Sequence, residues 1–195
     1  MSISKSILLI AATVILSSAG TVVNNTYTLS RGYTVGIHGT SNLHDWDENV
    51  VTVTGDGNVA WNGDADFDLN AMNIKMEVKS IKSTEGSIMN NNTYKALKSD
   101  DHPEITFVLT SPVKAIPVGA HVIAAKINLS IAGVTKAIDM SVTANAVAHG
   151  NISFEGSKTI NMTDYGIKPP VALFGTMRTG DAITIKFNTV FVMNK

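Results

Sequence analysis

The densest collection of groups able to do chemistry in this 195-residue chain is His38, His44, Asp45, Asp47 and Glu48. Imidazole beside carboxylates can hold zinc or another divalent ion, and two histidines flanking a turn can converge on one. The spacing matches no established metal motif. Two readings stand: a divalent-ion site, or a loop in which histidine hydrogen-bonds carboxylate while Trp46 packs over the end of the fold. The second is the expectation, and no metal is assigned. Asp100-Asp101-His102 is contiguous and precedes Pro103, which suits the end of a helix better than a general acid and base. His121 and His149 are isolated, and neither a Gly-x-Ser-x-Gly elbow nor a phosphate-cradling loop occurs. The chain has no cysteine, which excludes disulfides, thiolate metal sites, cysteine nucleophiles and a lipid-modified cysteine. No catalytic residue and no cofactor is assigned, and an enzyme is not expected.

Fifteen basic residues against 16 acidic ones, with no run of like charge, lack the electrostatic footprint that a phosphate backbone requires. Nucleic acid is therefore excluded as a partner. With 44% hydrophobic and 16% charged residues the chain should fold around a sizeable core, and its length suits one domain. Residues 1–20 do not belong to that domain: Lys5, the uncharged run Ile7 to Leu16, and Ser17-Ser18-Ala19-Gly20 have the order of a cleaved secretory signal. The run is too short for a membrane anchor, which takes about 20 apolar residues. The expected mature domain, 21–195, carries 14 basic and 16 acidic residues, a net charge of −2.

What must position any site is almost entirely period two. Ile138, Met140, Val142, Ala144, Ala146 and Ala148 alternate with polar residues, as do Ile123, Ala125, Ile127, Leu129 and Ile131. These two strands are joined by a short connection from Ala132 to Lys136 that closes a hairpin. The same test predicts strands at Tyr33 to Gly39, Val50 to Trp61 (with a kink or turn at Asp56-Gly57), Phe67 to Ile81, Glu104 to Thr110, Asn151 to Ile160 and Ala182 to Met193. Only Ser87 to Lys98 has helical spacing, with Ile88, Met89, Tyr94 and Leu97. An all-β fold follows: eight antiparallel strands and one short helix in a single barrel or sandwich, with closure favoured because it hides strand edges.

A run of local motifs in this order resembles the YceI-like family of exported, lipocalin-like proteins. The matching segments are Val35-Gly36-Ile37-His38-Gly39-Thr40-Ser41 with His44-Asp45-Trp46, Lys79-Ser80-Ile81-Lys82, and Tyr94-Lys95-Ala96-Leu97 leading to His102-Pro103-Glu104-Ile105-Thr106-Phe107. Leu129 to Lys136 and Asp164-Tyr165-Gly166-Ile167 complete the set. The resemblance implies an eight-stranded lipocalin-like barrel whose apolar lumen holds one polyisoprenoid or other long-chain amphiphile, in a periplasmic or secreted protein.

The residues themselves leave a cavity and a filled core both open, since barrels of eight strands come in both kinds. Ala144, Ala146 and Ala148 leave space, whereas Phe107, Phe154, Phe187 or Phe191 can fill it. Strand parity and the helix nominate Ile74, Met76, Val78, Tyr94, Leu97, Ile105, Phe107, Ile127, Leu129, Met140, Val142 and Phe154 as the lumen lining. Lys168-Pro169-Pro170 reads as a loop beside the barrel entrance. The expected function is sequestering or carrying an isoprenoid, quinone or similar lipid. The alternative is an exported structural or protein-interaction barrel with a filled core, and a homodimer is compatible with either.

Overall fold

The computed structural model describes residues 23–172 and 175–194. The expected signal segment at 1–20 lies outside the described residues. Thirteen strands are present among them: β1 Val23–Leu29, β2 Thr34–Ser41, β3 Trp46–Val50, β4 Val53–Asn62, β5 Asp66–Glu77, β6 Ile81–Ser83, β7 Glu104–Leu109, β8 Val113–Pro117, β9 Gly119–Ile131, β10 Val134–Ala146, β11 Ile152–Asn161, β12 Val171–Ala172 and β13 Met177–Met193. One helix, α1 Ser87–Ala96, and two 3-10 turns, Val78–Ser80 and Met162–Tyr165, complete the order.

Eight of these strands form a closed antiparallel ring, β1-β4-β5-β7-β9-β10-β11-β13, with β13 pairing back to β1 through Tyr27↔Met193. The closure is possible because β13 has 17 residues and takes two partners along one edge. Its end, at Phe191 to Met193, pairs with β1, and its earlier part, from Thr179 to Asn188, pairs with β2, from which β3 and β6 continue.

The alternation read from the sequence becomes the inside and outside of this ring. On β9 Ile123, Ala125, Ile127, Leu129 and Ile131 are buried, and on β10 Met140, Val142, Ala144 and Ala146 are. The hairpin between them is tighter than the sequence suggests: Ile131 pairs with Val134, leaving only Ala132 and Gly133 in the turn. Both have positive φ, +49° and +85°, the conformation of a type I′ turn whose twist matches the strands.

Two expectations are refined. Asp56-Gly57 is no turn, because β4 runs straight through it, and the break falls instead at Val51-Thr52. Tyr33 spans that break, its hydroxyl donating to the Val51 carbonyl at 2.7 Å and accepting from the Val53 amide at 2.9 Å. In β5 an extra residue, Asn70, sits between Val59↔Leu69 and Asn58↔Ala71. This bulge moves the inward set from Phe67 and Leu69 to Met72, Ile74 and Met76.

One end of the barrel is solid. Tyr27, Trp61, Phe67, Ile116, Ile152 and Phe191 are buried there, with Trp61 and Phe67 ring centroids 5.1 Å apart and Phe154 edge-on to Phe191 at 5.8 Å. Trp61 Nε1 donates to the Tyr27 hydroxyl, which donates to the Gly150 carbonyl, so the plug leaves neither aromatic polar atom unpaired. The neighbours β10 and β11 separate at the opposite end. Their pairing stops at Val142↔Gly156, and beyond it Lys158 Nζ donates to the Asp139 carbonyl at 2.8 Å.

Candidate functional site: an apolar lumen in two chambers

Beyond the aromatic plug the ring is too wide for its own side chains, and two chambers open in series. The upper one, with a cavity volume of about 90 Å3, is walled by Leu69, Met72, Ile74 and Met76 of β5, Phe107 and Leu109 of β7, and Ile123 to Leu129 of β9. Ile138, Met140 and Val142 of β10, Phe154 of β11 and Ile185, Phe187 and Thr189 of β13 close it. Its few polar residues are spoken for. Thr189 Oγ1 donates to the Phe154 carbonyl, and the Lys158 ammonium is held at Asp139.

The lower chamber, about 100 Å3, lies beneath α1. Met89, Asn92, Thr93, Ala96 and Leu97 present the i, i+3, i+4, i+7 face of that helix to it. Its floor and sides come from Trp46, Glu48 and Val50 of β3, Ile105 of β7, Ile131 of β9, Tyr165 of the second 3-10 turn, and Pro170 of the proline loop. Val35, Met76, Leu129 and Ile185 border both chambers, so the two lie end to end along the barrel with those four residues at their boundary.

Of the residues nominated from sequence, Ile74, Met76, Phe107, Ile127, Leu129, Met140, Val142 and Phe154 line the upper chamber, and Leu97 and Ile105 line the lower. Val78 and Tyr94 line neither. β5 ends at Glu77, so Val78 sits in a 3-10 turn, buried, with its amide on the Pro103 carbonyl at 2.8 Å. Tyr94 is one residue past the chamber-facing Thr93. Its hydroxyl lies 2.8 Å and 2.9 Å from the carbonyls of Lys79 and Ile81 and accepts from Lys82 Nζ at 2.6 Å, fastening the helix to the wall. The alanine row does not make the cavity either: Ala144 and Ala146 are buried opposite Phe154 and Ile152, at the plugged end.

The histidine and carboxylate cluster is divided by the pleat of β3. Asp47 points outward, where its Oδ1 lies 3.0 Å from His38 Nδ1, and Asp45 Oδ2 lies 3.8 Å from His38 Nε2. His44 turns the other way, with Nδ1 2.8 Å from the Asp45 carbonyl and 3.5 Å from Glu85. Among the described residues no group of three or more such side chains is arranged to hold a metal ion.

Glu48, two residues on from Trp46, faces the lumen and is 1% exposed. Burial raises its pKa above the ordinary glutamate value; the Thr93 hydroxyl, donating at 2.6 Å, opposes this, and nearby Glu85 reinforces it. Tyr165 is also 1% exposed, and its hydroxyl is the one buried side-chain polar atom among the described residues without a hydrogen-bond partner. Burial, and then Asp164, raise its pKa. Among the lining residues that were not nominated from sequence, Glu48 and Tyr165 bring the ionisable groups of the lower chamber. The alternation of Trp46, Glu48 and Val50 was the available signal for Glu48; the motif Asp164-Tyr165-Gly166-Ile167 marks Tyr165, but only the fold brings it to the chamber.

The motifs behind the family resemblance prove to be packing devices. Gly39 lies opposite Trp46, and a Cβ there would stand 2.2 Å from the indole ring. Gly133 lies under the His102 ring, which a Cβ would meet at 2.5 Å. Ser80 joins the turn to the break after β3, its hydroxyl donating to the Glu77 carbonyl and accepting from the Thr52 amide. Gly166 ends the second 3-10 turn in the left-handed conformation.

Fold and site together define an antiparallel eight-stranded barrel built around a capped apolar lumen. A YceI-like domain matches residues 26–191, and the chain belongs to that family. Among solved structures, a polyisoprenoid binding domain from Saccharophagus degradans implicated in plant cell wall breakdown superposes with a TM-score of 0.68 at 13% identity, covering 86% of this chain and 98% of that one. BcnA of Burkholderia cenocepacia gives 0.61 at 17% identity, over 81% and 95% of the two chains. A YceI protein of Campylobacter jejuni gives 0.56 at 18% identity, over 76% and 84%. No curated protein matches.

Proposed function

We propose that this chain is an exported lipid-binding protein that sequesters or carries a long-chain isoprenoid, quinone or similar amphiphile, and that it is not an enzyme. The observation that carries the reading is the pair of adjoining apolar chambers inside the ring, which share Val35, Met76, Leu129 and Ile185 as their common border. Such a lumen acts by removing a hydrocarbon chain from water. About twenty buried carbons at roughly 0.3 kcal/mol each contribute on the order of 6 kcal/mol, which a few polar head contacts bring into the micromolar range. Tail length then sets most of the affinity, and neighbouring chain lengths differ by about 0.8 kcal/mol per methylene. The polyisoprenoid-binding description of the Saccharophagus degradans neighbour supports the ligand class. The leader-like order of residues 1–20 supports export, with the periplasm as the compartment. No helix among the described residues is long and apolar enough to cross a membrane.

The test is native mass spectrometry of the 21–195 chain purified without detergent. A stoichiometric added mass that is lost on denaturation and extracts into organic solvent as an isoprenoid, quinone or fatty-acyl compound is the expected outcome. A bare chain that also takes up no long-chain isoprenoid would sink the proposal and leave a structural or protein-interaction barrel.

A further inference from the structure

The two chambers differ in what they can offer a ligand. The upper chamber presents hydrocarbon. The lower one carries a carboxyl, Glu48, and a phenol, Tyr165, both buried. No lysine, arginine or histidine lines the lower chamber. Among the described residues, the one cationic residue in the lining of either chamber, Lys158, lies along the upper one with its ammonium already bonded to the Asp139 carbonyl. A phosphate or carboxylate head in the lower chamber would be desolvated beside Glu48 with no cation to compensate, and charges are buried only when paired. A neutral head meets the opposite situation. The Tyr165 hydroxyl has an unused hydrogen bond, and leaving such a group buried and unpaired is unfavourable.

We propose that the chamber beneath α1 receives the head of the amphiphile and selects heads that are uncharged and hydrogen-bond through an amide, a hydroxyl or a carbonyl, with Tyr165 and Glu48 as partners. The assignment rests on the lumen being a lipid site. The groups that face Glu48 fit it: Thr93 donates from α1, the register neighbours Ile37 and Ser83 bring no cation, and Glu85 disfavours its ionised form. The Glu48 carboxyl can accept from an amide or hydroxyl head, the Tyr165 hydroxyl can donate to a carbonyl head, and neither repels a neutral group.

The experiment is a titration of the lipid-stripped protein at neutral pH with three tail-matched ligands delivered from cyclodextrin: tetradecanamide, tetradecanol and tetradecanoate. The amide and alcohol are expected to bind at least about tenfold tighter than the carboxylate. Glu48→Gln is expected to narrow that gap by improving carboxylate binding. Tyr165→Phe is expected to weaken amide and alcohol binding several-fold while leaving the melting temperature of the empty protein unchanged or raised, since the lost hydroxyl has no partner. A merely structural tyrosine would lower that temperature and leave the ligand series alone, which overturns its role. Equal or tighter carboxylate binding overturns the proposal while leaving the lumen reading intact, and loss of that binding in Lys158→Met would move the head to the split between β10 and β11. Failure of all three ligands to bind instead defeats the lipid-binding reading itself.

Discussion

Asp68 shows how a single side chain in this barrel is held by its surroundings. Its burial opposes ionisation, yet the Ala115 amide at 2.9 Å, the Lys114 ammonium at 3.0 Å and the Asn62 amide at 3.3 Å outweigh that and hold its pKa below the ordinary aspartate value. A carboxyl depressed on folding contributes stability that is complete above its unfolded pKa and is lost as pH falls through its folded one. Asp68→Asn is therefore expected to cost about 1 kcal/mol at neutral pH. The difference from the parent should vanish in strong acid, as urea unfolding across an acid pH series would show. A difference that persists unchanged in acid would mean that shape, not charge, is what Asp68 provides. Glu48 has the opposite sign. Burial raises its pKa, so folding favours its protonated form and its contribution declines as pH rises through the folded pKa.

At the scale of elements, the β9–β10 hairpin and the β10–β11 split make separate predictions. Gly133 has φ of +85° and no room for a Cβ under His102, so Gly133→Ala should destabilise by about 2 kcal/mol. Ala132 pays steric strain at φ +49°, and Ala132→Gly should be nearly neutral or stabilising by a few tenths of a kcal/mol. Chemical denaturation of the pair checks both, and equal losses would show that burial of Ala132, rather than turn geometry, governs the site. The split is checked by hydrogen exchange. β10 is paired with β9 along its whole length but with β11 only from Val142 to Ala146. Alternate amides of 134–141, those facing β11, should exchange much faster than those facing β9.

For the whole molecule, the question is whether the two chambers act as one. Met76 borders both and is only partly buried, which leaves room for a larger group at their boundary. Met76→Trp is expected to weaken binding of a tail long enough to occupy both chambers by at least about tenfold, while a tail short enough for one chamber loses little. Affinity measured across a series of tail lengths checks this, and a uniform loss would show two independent pockets instead of a continuous lumen.

The alternation on β9 and β10 was legible because a strand with one wet face writes its inside and outside into every second residue. The helix at 87–96, the eight-stranded ring and the lumen residues of β7, β9 and β10 follow from that signal and from the family motifs. β1 escaped because Asn24, Asn25, Thr26 and Thr28 dilute its pattern, and its place is set by Trp61 and Met193, which are distant in sequence. The Asn70 bulge could not be read either, since an inserted residue changes parity without changing composition. Where the cavity lies was likewise a tertiary matter. The alanines of β10 suggest space, but Tyr27, Trp61 and Phe67 arrive from other strands to fill that end, and the open volume falls beyond them, in two chambers of which the lower lies beneath α1. Residue type and spacing determined which face of each strand is apolar. Only the closed ring, through contacts between residues far apart in the chain, decided which of those faces meet one another and which meet a void holding Glu48 and Tyr165.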